Sequence, residues 1–382
     1  MSDSITAVIV NYNRRDLLLH TLRSVVAQST PPGDIIVIDN GSTDDSVTAV
    51  RGELGDKVQI ECLADNSGSA GGFSYGIEVA IEGNSNQFLV MDSDVIMAPD
   101  CLEKLSAYLT NHPDVGIVGP KVYLWDHPGV LQMLGGGLDW KNGCIVPRFP
   151  FHNEPVAGIV SDDLDVDFVP ACCLLTKRTA VERAGNFDSG WFLYWDDVDW
   201  CARVRRAGLR VSVSTSSSVR HRCGGANKRS LLPVYYEWRN RYLFFDRHSA
   251  PFDRHSAVNA VLVDHLLARF TCRHLGLERT ANVMELGISD ALEDVFGKRD
   301  LGDMDLRLDQ PVATPQSTSD LLQVHHVIGS ATEELASRKG LVLQDRFGKR
   351  LPASEAWALR MEFEGERERE LPGLLERAGA AL

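Results

Sequence analysis

Long apolar runs are missing from this sequence: no stretch of 18 apolar residues occurs, so nothing in it is expected to span a bilayer. A basic leader is missing as well. The opening MSDSITAVIV has no positive n-region and no cleavage site, and a cytoplasmic location, extending at most to the inner face of a membrane, is the expectation. Basic residues are outnumbered, with 39 Lys and Arg against 53 Asp and Glu and a net charge of −14. That balance excludes a broad electrostatic footprint for nucleic acid, although it leaves room for a local basic cleft around a phosphorylated substrate. The eight cysteines, at 62, 101, 144, 172, 173, 201, 223 and 272, include no C-x-x-C pair. Their spacing speaks against a structural zinc site and against a disulfide scaffold, and leaves reduced, mostly buried thiols.

What is present is the composition of a folded chain, 44% hydrophobic and 24% charged over 382 residues, long enough for one large domain and an extension. Residues 5–10, ITAVIV, form a short β-branched apolar run of the kind that is buried on both faces of a parallel sheet. Asn11-Tyr12-Asn13 ends it, and Arg15–Gln28 follows with helical spacing of Leu17, Leu18, Leu22, Val25 and Val26. The alternation repeats: a strand at Asp34–Ile38, the turn Asn40-Gly41-Ser42-Thr43-Asp44-Asp45 and a helix through 52. A strand at Val58–Leu63, a Gly-rich turn at 68–72 opening a helix, a strand at Phe88–Met91 and a helix at Pro99–Asn111 complete it. Strands alternating with helices in this way imply an α/β class with a parallel sheet and right-handed crossovers, whose ligands bind at the carboxyl ends of the strands. Asn11, Asp39 and Asp92 all fall at such ends.

Beyond residue 115 the pattern loosens into loops and short antiparallel strands, followed by a strand at 167–176, a helix through Ala184 and an amphipathic helix at Asp196–Ala207. Residues 234–298 read as mostly helical, with the aromatic cluster Tyr235, Tyr236, Trp238 and Tyr242. The expected division is a catalytic domain at 1–230, a helical extension packed on it at 231–300, a linker at 301–320 rich in Pro, Ser and Thr, and an accessory region at 321–382. Packing on the catalytic domain, homo-oligomerisation and peripheral contact with a membrane all stay open for that last region. Trp357, Leu359, Met361 and Phe363 alternate more like a strand than a helix.

Four features carry chemistry. In Phe88-Leu89-Val90-Met91-Asp92-Ser93-Asp94 an apolar strand ends in two carboxylates at i and i+2, which share a side while the chain stays extended. Such hard oxygens suit Mg²⁺ or Mn²⁺ that also binds a diphosphate. Asp39 is either a turn and cap residue or an acceptor for a nucleobase N–H. The segment Asn66-Ser67-Gly68-Ser69-Ala70-Gly71-Gly72-Phe73 lets backbone approach a phosphate or sugar, yet it lacks the Gly-Lys-Ser/Thr ending of an ATPase loop. Finally, Trp191, Tyr194 and Trp195 precede Asp196, Asp197 and Asp199. Rings can pack on a sugar face while a carboxylate takes a proton from its hydroxyl, and the same acids suit a helix N-terminus.

The order VIVNYN, IIVIDNGSTDD, Gly-rich turn, FLVMDSD and FDSGWFLYWDDVDWCARVRRAG resembles the large family-2 glycosyltransferases of the GT-A fold over about residues 5–225. The resemblance implies a Rossmann-like nucleotide-diphospho-sugar transferase fold with a mostly helical C-terminal extension. It identifies Asp39 with the nucleobase-contacting aspartate, Asp92 and Asp94 with the D-x-D metal motif, and Asp197 with the base, Asp196 replacing a commoner glutamate. Asn11, Asn13, Asn66, Gly71, Gly72 and Ser93 would join Asp39 and Asp92 around the donor. Trp191, Tyr194 and Trp195 would line the acceptor. The segments NSGSAGGF and WDDVD look most like the galactofuranosyl- and rhamnosyltransferase branch, which implies His221, 24 residues after Asp197, as a third metal ligand. Flanking Arg220 and Arg222 would neutralise diphosphate charge. The implied activity is inverting transfer, dependent on Mn²⁺ or Mg²⁺. A sugar moves from a UDP- or dTDP-linked donor to a carbohydrate, lipid-linked or small-molecule acceptor. A sugar nucleotidyltransferase and an inactive carbohydrate-binding protein are the alternatives. The first normally has a Gly-rich, Lys/Arg-containing loop where NYNRRD stands, and the intact acids count against the second.

Overall fold

The β-branched runs form the centre of the sheet in the computed structural model. It describes residues 4–148, 163–222, 230–274, 276–302, 306–309, 367 and 369–378. By internal contact the chain divides into two units, 1–139 with 145–228 and 296–300, and 140–144 with 229–295 and 301–382.

The first unit begins with β1 (Ile5–Asn11), α1 (Arg15–Val26), β2 (Asp34–Asp39), α2 (Ser46–Leu54), β3 (Gln59–Cys62), α3 (Gly68–Ile81) and β4 (Gln87–Asp92). There follow β5 (Val95–Met97), α4 (Cys101–Asn111), β6 (Val115–Leu124), β7 (Leu131–Met133), β8 (Gly136–Asp139), β9 (Cys144–Pro147) and β10 (Asp163–Val166). The unit ends its main sheet with β11 (Cys173–Lys177), α5 (Arg178–Ala184), α6 (Asp196–Arg206) and β12 (Arg210–His221). Ten strands form one sheet in the order β10-β12-β6-β11-β4-β1-β2-β3, with β5 added to β12 and β7 to β6. β1 to β4 run parallel as the βα alternation requires. β1 is buried at all seven positions, which is why it shows no polar alternation.

Three expectations change. β11 enters antiparallel between β4 and β6, so the sheet is mixed rather than wholly parallel. Of the strand expected at 167–176 only 173–176 is strand, within β11, and a separate strand, β10, ends before it at 166. Pro170 has no N–H for a ladder, and its carbonyl instead accepts from the Cys173 N–H at 3.4 Å. The expected turn at 68–72 is the first turn of α3 itself. Among the seven described cysteines five are buried and none is in a disulfide.

α3 lies close on β1 and β2 because glycines face the sheet. A Cβ on Gly76 would stand 2.2 Å from Val8 Cγ1 and 3.1 Å from Ile38 Cγ1; one on Gly72 would stand 2.6 Å from Val10 Cγ1. The second unit holds α7 (Leu232–His248), α8 (Pro251–His274) and α9 (Glu278–Leu292). The aromatic cluster seen in the sequence is its core: Tyr235, Tyr236, Trp238 and Tyr242 are all buried. Arg239, fully buried, lies over the Tyr236 and Tyr235 rings at 4.6 and 5.5 Å. Arg269 pairs with Glu285 and Glu370. Contact with His265, then with Arg269, holds the Glu285 carboxyl down at about 2 against the opposing effect of burial. Among the described residues no helix is long and apolar enough to cross a membrane. The linker reading, apart from 301–302 and 306–309, and the alternation at 357–363 lie outside the described residues.

Because β1 cannot retreat from α3, Gly76→Val is expected to overpack this layer and lose about 1–3 kcal/mol of stability. Urea unfolding should show a lower midpoint than for the unsubstituted protein.

Candidate active site

Strand register brings the polar strand ends into one row. Asn11 is opposite Asp39 across β1 and β2, and Val10 is opposite Asp92 across β1 and β4. Asn11 is buried, and its Nδ2 donates to Asp39 Oδ1 at 3.2 Å and to Ser42 Oγ at 3.3 Å. Asp39 Oδ2 accepts from the Ser42 N–H at 3.0 Å. Asn13, at φ +51°, accepts from the Thr43 and Asp44 N–H groups at 2.7 and 3.2 Å. These amides and Asp39 thus tie the loops after β1 and β2 together. Asn66 accepts from the Gly68 N–H at 2.8 Å and from Asn40 Nδ2 at 3.2 Å, closing the turn into α3. Gly71 faces Ser67 and Gly72 faces Val10, so protein atoms already fill the space beside both glycines.

Asp92 ends β4, and the chain turns through Ser93 and Asp94 before β5, so the two acids converge through a turn rather than along an extended strand. β12 pairs antiparallel with β5 and sets His221 opposite Val95. Ligand atoms of Asp92, Asp94 and His221 all lie within 4.8 Å of one another. Asp94 Oδ1 is buried and accepts no hydrogen bond, and His221 Nε2 stands 3.4 Å from it. The far ring nitrogen, Nδ1, donates to Gln132 Oε1 at 2.9 Å, which turns Nε2 toward the acids. Two carboxylates and an oriented imidazole make a donor set suited to a small divalent ion, and the orphaned oxygen is an open ligand position. Arg14 is paired with the other oxygen of Asp94.

The electrostatics agree with a site short of positive charge. Burial first, and the Asp94 charge next, push Asp92 up to about 7. Burial acts on Asp94 in the same direction, but His221 and then Arg14 outweigh it and hold Asp94 below the ordinary carboxylate range. Burial opposes a charged His221, yet the neighbouring Asp94 and Asp92 carry its pKa above the usual value.

Asp196 and Asp197 open α6. Asp196 is buried, accepts from Ser69 Oγ at 3.1 Å, and is raised well above the usual range by burial and then by the Asp197 charge. Asp197 is half-buried. Its two oxygens accept from the Ala171 and Val198 N–H groups at 3.1 and 2.8 Å. Burial raises its pKa, and those backbone donors oppose the shift without cancelling it. Asp199 pairs with Arg203 at 2.7 Å one helical turn on, a structural ion pair.

The loop before α6 is strained. Phe192, Tyr194 and Trp195 all have positive φ, between 62° and 66°. Trp191 and Trp195 are buried, Trp191 edge-on to Phe296 with centroids 5.1 Å apart, while Tyr194 is 45% exposed. Of the three expected acceptor aromatics, Tyr194 is the one that offers a ring to solvent. Strand alternation sends Arg220 to the face opposite His221, beside Ile96, Lys121 and Tyr123 in a cleft of about 380 Å³. Sequence reasoning missed Arg14, Gln132 and Ser69. NYNRRD does not distinguish Arg14 from Arg15, which instead pairs on the surface with Asp16 and Asp45.

Residues 6–137 match the sequence profile of Glycosyl transferase family 2. N-acetylglucosaminyl-diphospho-decaprenol L-rhamnosyltransferase of Mycobacterium tuberculosis is 25% identical over 296 residues, spanning 72% of this chain and 95% of the relative. Galactofuranosyltransferase GlfT1 of the same species is 28% identical over 247 residues, spanning 61% of this chain and 74% of the relative. The fold is shared with the crystal structure of GalNAc-T7 with UDP, GalNAc and Mn2+, at TM-score 0.50 and 16% identity, over 77% of this chain and 55% of that one.

Gly68, at φ +76°, would place a Cβ 1.9 Å from the Phe192 carbonyl oxygen. Gly68→Ala is therefore expected to lose about 1–3 kcal/mol and to shift the strained loop. Thermal unfolding and the tryptophan emission of Trp191 and Trp195 should both change.

Proposed function

Starting from a chain that belongs to the family-2 glycosyltransferases, near the rhamnosyl- and galactofuranosyltransferases, we propose an inverting, metal-dependent hexosyl transfer from a nucleoside-diphosphate sugar to a hydroxyl. The observation that carries this reading is the convergence of Asp92, Asp94 and His221 at the end of β4, in the same unit as the half-buried carboxylate Asp197. Asp92, Asp94 and His221 would hold Mn²⁺ or Mg²⁺. When bound, such an ion supplies Lewis-acid neutralisation of charge on the departing diphosphate.

The protein's own groups account for the rest. Asp39 and Asn11 form the far end of the donor cleft and receive the nucleobase, with Asn13 and Asn66 bracing the loops that shape it. Asp197 accepts the acceptor hydroxyl proton as that oxygen attacks the anomeric carbon from the side opposite the diphosphate, and configuration inverts. Its partial exposure and its two backbone donors, which fix the carboxylate plane, favour it over buried Asp196 for this role. Asp196, which burial and then the Asp197 charge shift toward its neutral form, supports the base in this reading. Tyr194 receives the acceptor at the open side. A rhamnose or galactofuranose donor linked to dTDP or UDP and a polyprenyl-diphosphate-linked acceptor are favoured by the named relatives. The reaction would then take place in the cytoplasm at the inner membrane face.

Incubation with a panel of UDP-, dTDP- and GDP-sugars tests the reading through sugar release that requires Mn²⁺. No release from any donor would sink it. Asp197→Asn keeps the shape and removes the base, so turnover should fall by about 10²–10⁴-fold while calorimetry still records nucleotide binding. Because burial raises the Asp197 pKa in the folded protein, the acid limb of kcat should lie above the ordinary carboxylate value of about 4. Activity is then lost as pH falls through that limb. Asp92→Ala should abolish the Mn²⁺ dependence of nucleotide binding, measured by calorimetry with and without the ion.

A further inference from the structure

We propose that Arg14 is a built-in counter-cation that occupies the metal site through Asp94 when the donor is absent and transfers to the donor's diphosphate when the ion binds. The inference rests on the metal-dependent reading above. Three observations carry it.

First, Arg14 makes an ion pair with Asp94, whose side chain is 2% exposed, while its own side chain is 22% exposed. One end of this contact is therefore fixed in the core and the other is reachable from solvent. A long guanidinium side chain can leave such a site without unfolding anything.

Second, Asp92, Asp94, Asp196 and Asp197 are four carboxylates at one end of the sheet, with Asp94 and Asp196 buried. Such a group of acids requires positive charge nearby, and Asp94 has Arg14 in an ion pair on one oxygen and His221 Nε2 at 3.4 Å from the other. Once a divalent ion joins Asp92, Asp94 and His221, the electrostatic demand for Arg14 at Asp94 disappears, and the guanidinium is repelled by the ion.

Third, Arg14 lies where a released guanidinium has an anion to meet. It directly follows Asn13, at the end of the loop that begins with Asn11 on Asp39 and closes with Arg14 on Asp94. That loop spans the cleft from its base-binding end to its metal-binding end. In a nucleoside-diphosphate sugar the two phosphates lie between those ends, and a guanidinium binds phosphate oxygens through paired N–H groups. Arg15, one residue on, is turned away to Asp16 and Asp45.

The consequence is opposite effects on two ligands. Arg14 competes with the ion in the absence of donor, so removing it relieves the cost of displacing an internal occupant. The same change deprives the diphosphate of a charged partner. The test is Mn²⁺ titration of the full chain by electron paramagnetic resonance of the free ion, followed by UDP and dTDP titration by calorimetry at saturating Mn²⁺. Arg14→Gln should bind Mn²⁺ about fivefold more tightly or better, the lower end of typical coupling between sites. It should bind the preferred nucleotide about tenfold more weakly. Arg14→Lys, which keeps the charge but not the paired donors, should leave Mn²⁺ affinity near that of the unsubstituted protein and bind nucleotide at an intermediate strength. A purely structural Arg14, holding Asp94 in place, predicts the reverse for the ion, namely weaker Mn²⁺ binding in Arg14→Gln. That result, unchanged Mn²⁺ affinity, or unchanged nucleotide affinity overturns the proposal while leaving the metal site intact. If the unsubstituted protein takes up neither Mn²⁺ nor Mg²⁺, the metal-dependent reading falls and this proposal falls with it.

Discussion

The register of β1 between β2 and β4 is the constraint on which the rest of this unit depends. A parallel strand buried on both faces has no freedom to slip, because a shift of one residue would exchange every side chain between the two layers. With Asn11 held opposite Asp39 and Val10 opposite Asp92, the apolar ladder stops on all three strands at the same level. The polar groups that follow must then lie together at the sheet's edge. α3 reinforces that register from one side, since Val8 and Val10 project into the spaces left by Gly76 and Gly72. Close helix–sheet packing and the position of the acids are therefore one property of the same strand.

Gathering those acids has an electrostatic cost. Transfer of a lone carboxylate into a protein interior is strongly unfavourable unless it is paired or neutralised. The chain meets that cost differently at each acid. Asp39 is satisfied by an amide and a backbone N–H. Asp94 takes Arg14 on one oxygen and has His221 near the other. Asp197 has two backbone donors, and Asp196 is shifted toward its neutral form. Asp92 is pushed up to about 7 by burial and then by the Asp94 charge. A site in which one carboxylate is unsettled and a neighbouring carboxylate oxygen is buried without a donor has the electrostatics of a cation site.

How much of this could be read from the residues follows from the range over which each signal acts. β1, β2 and β4 were visible because continuous β-branched runs and the polar residues that end them are local. Asp92, Asp94 and Asp197 were visible because acids stand directly beside an apolar strand or an aromatic cluster. The insertion of β11 between β4 and β6 was not, because antiparallel pairing leaves no mark in a strand of five residues that is buried throughout its first four. The Gln132 contact to His221 spans 89 positions of sequence, and no periodicity reports on it. Residues 68–72 read as a turn but form the first turn of α3, where Gly68, Gly71 and Gly72 admit the Phe192 backbone and neighbouring side chains. Trp191 and Trp195 looked like a sugar platform for a similar reason: composition places aromatics beside acids but does not say which way the rings face.

Their burial explains why the strained loop contains no glycine. Phe192, Tyr194 and Trp195 occupy backbone conformations that cost about 1–3 kcal/mol each for side-chain-bearing residues, and glycine would remove the strain. It would also remove Phe192 and Trp195, which are 5% and 4% exposed and hold the loop down as it reverses into α6. That reversal sets the amino end of α6 at Asp196 and Asp197, where the unpaired N–H groups and partial positive charge of the helix favour negative charge. The backbone bond from Val198 to Asp197 is one such group. The two effects oppose each other at the same carboxylate, since the helix end favours its ionised form and burial favours its neutral form. Burial prevails at both acids, but at Asp197 the Ala171 and Val198 N–H groups oppose it, whereas at Asp196 the neighbouring Asp197 charge adds to it.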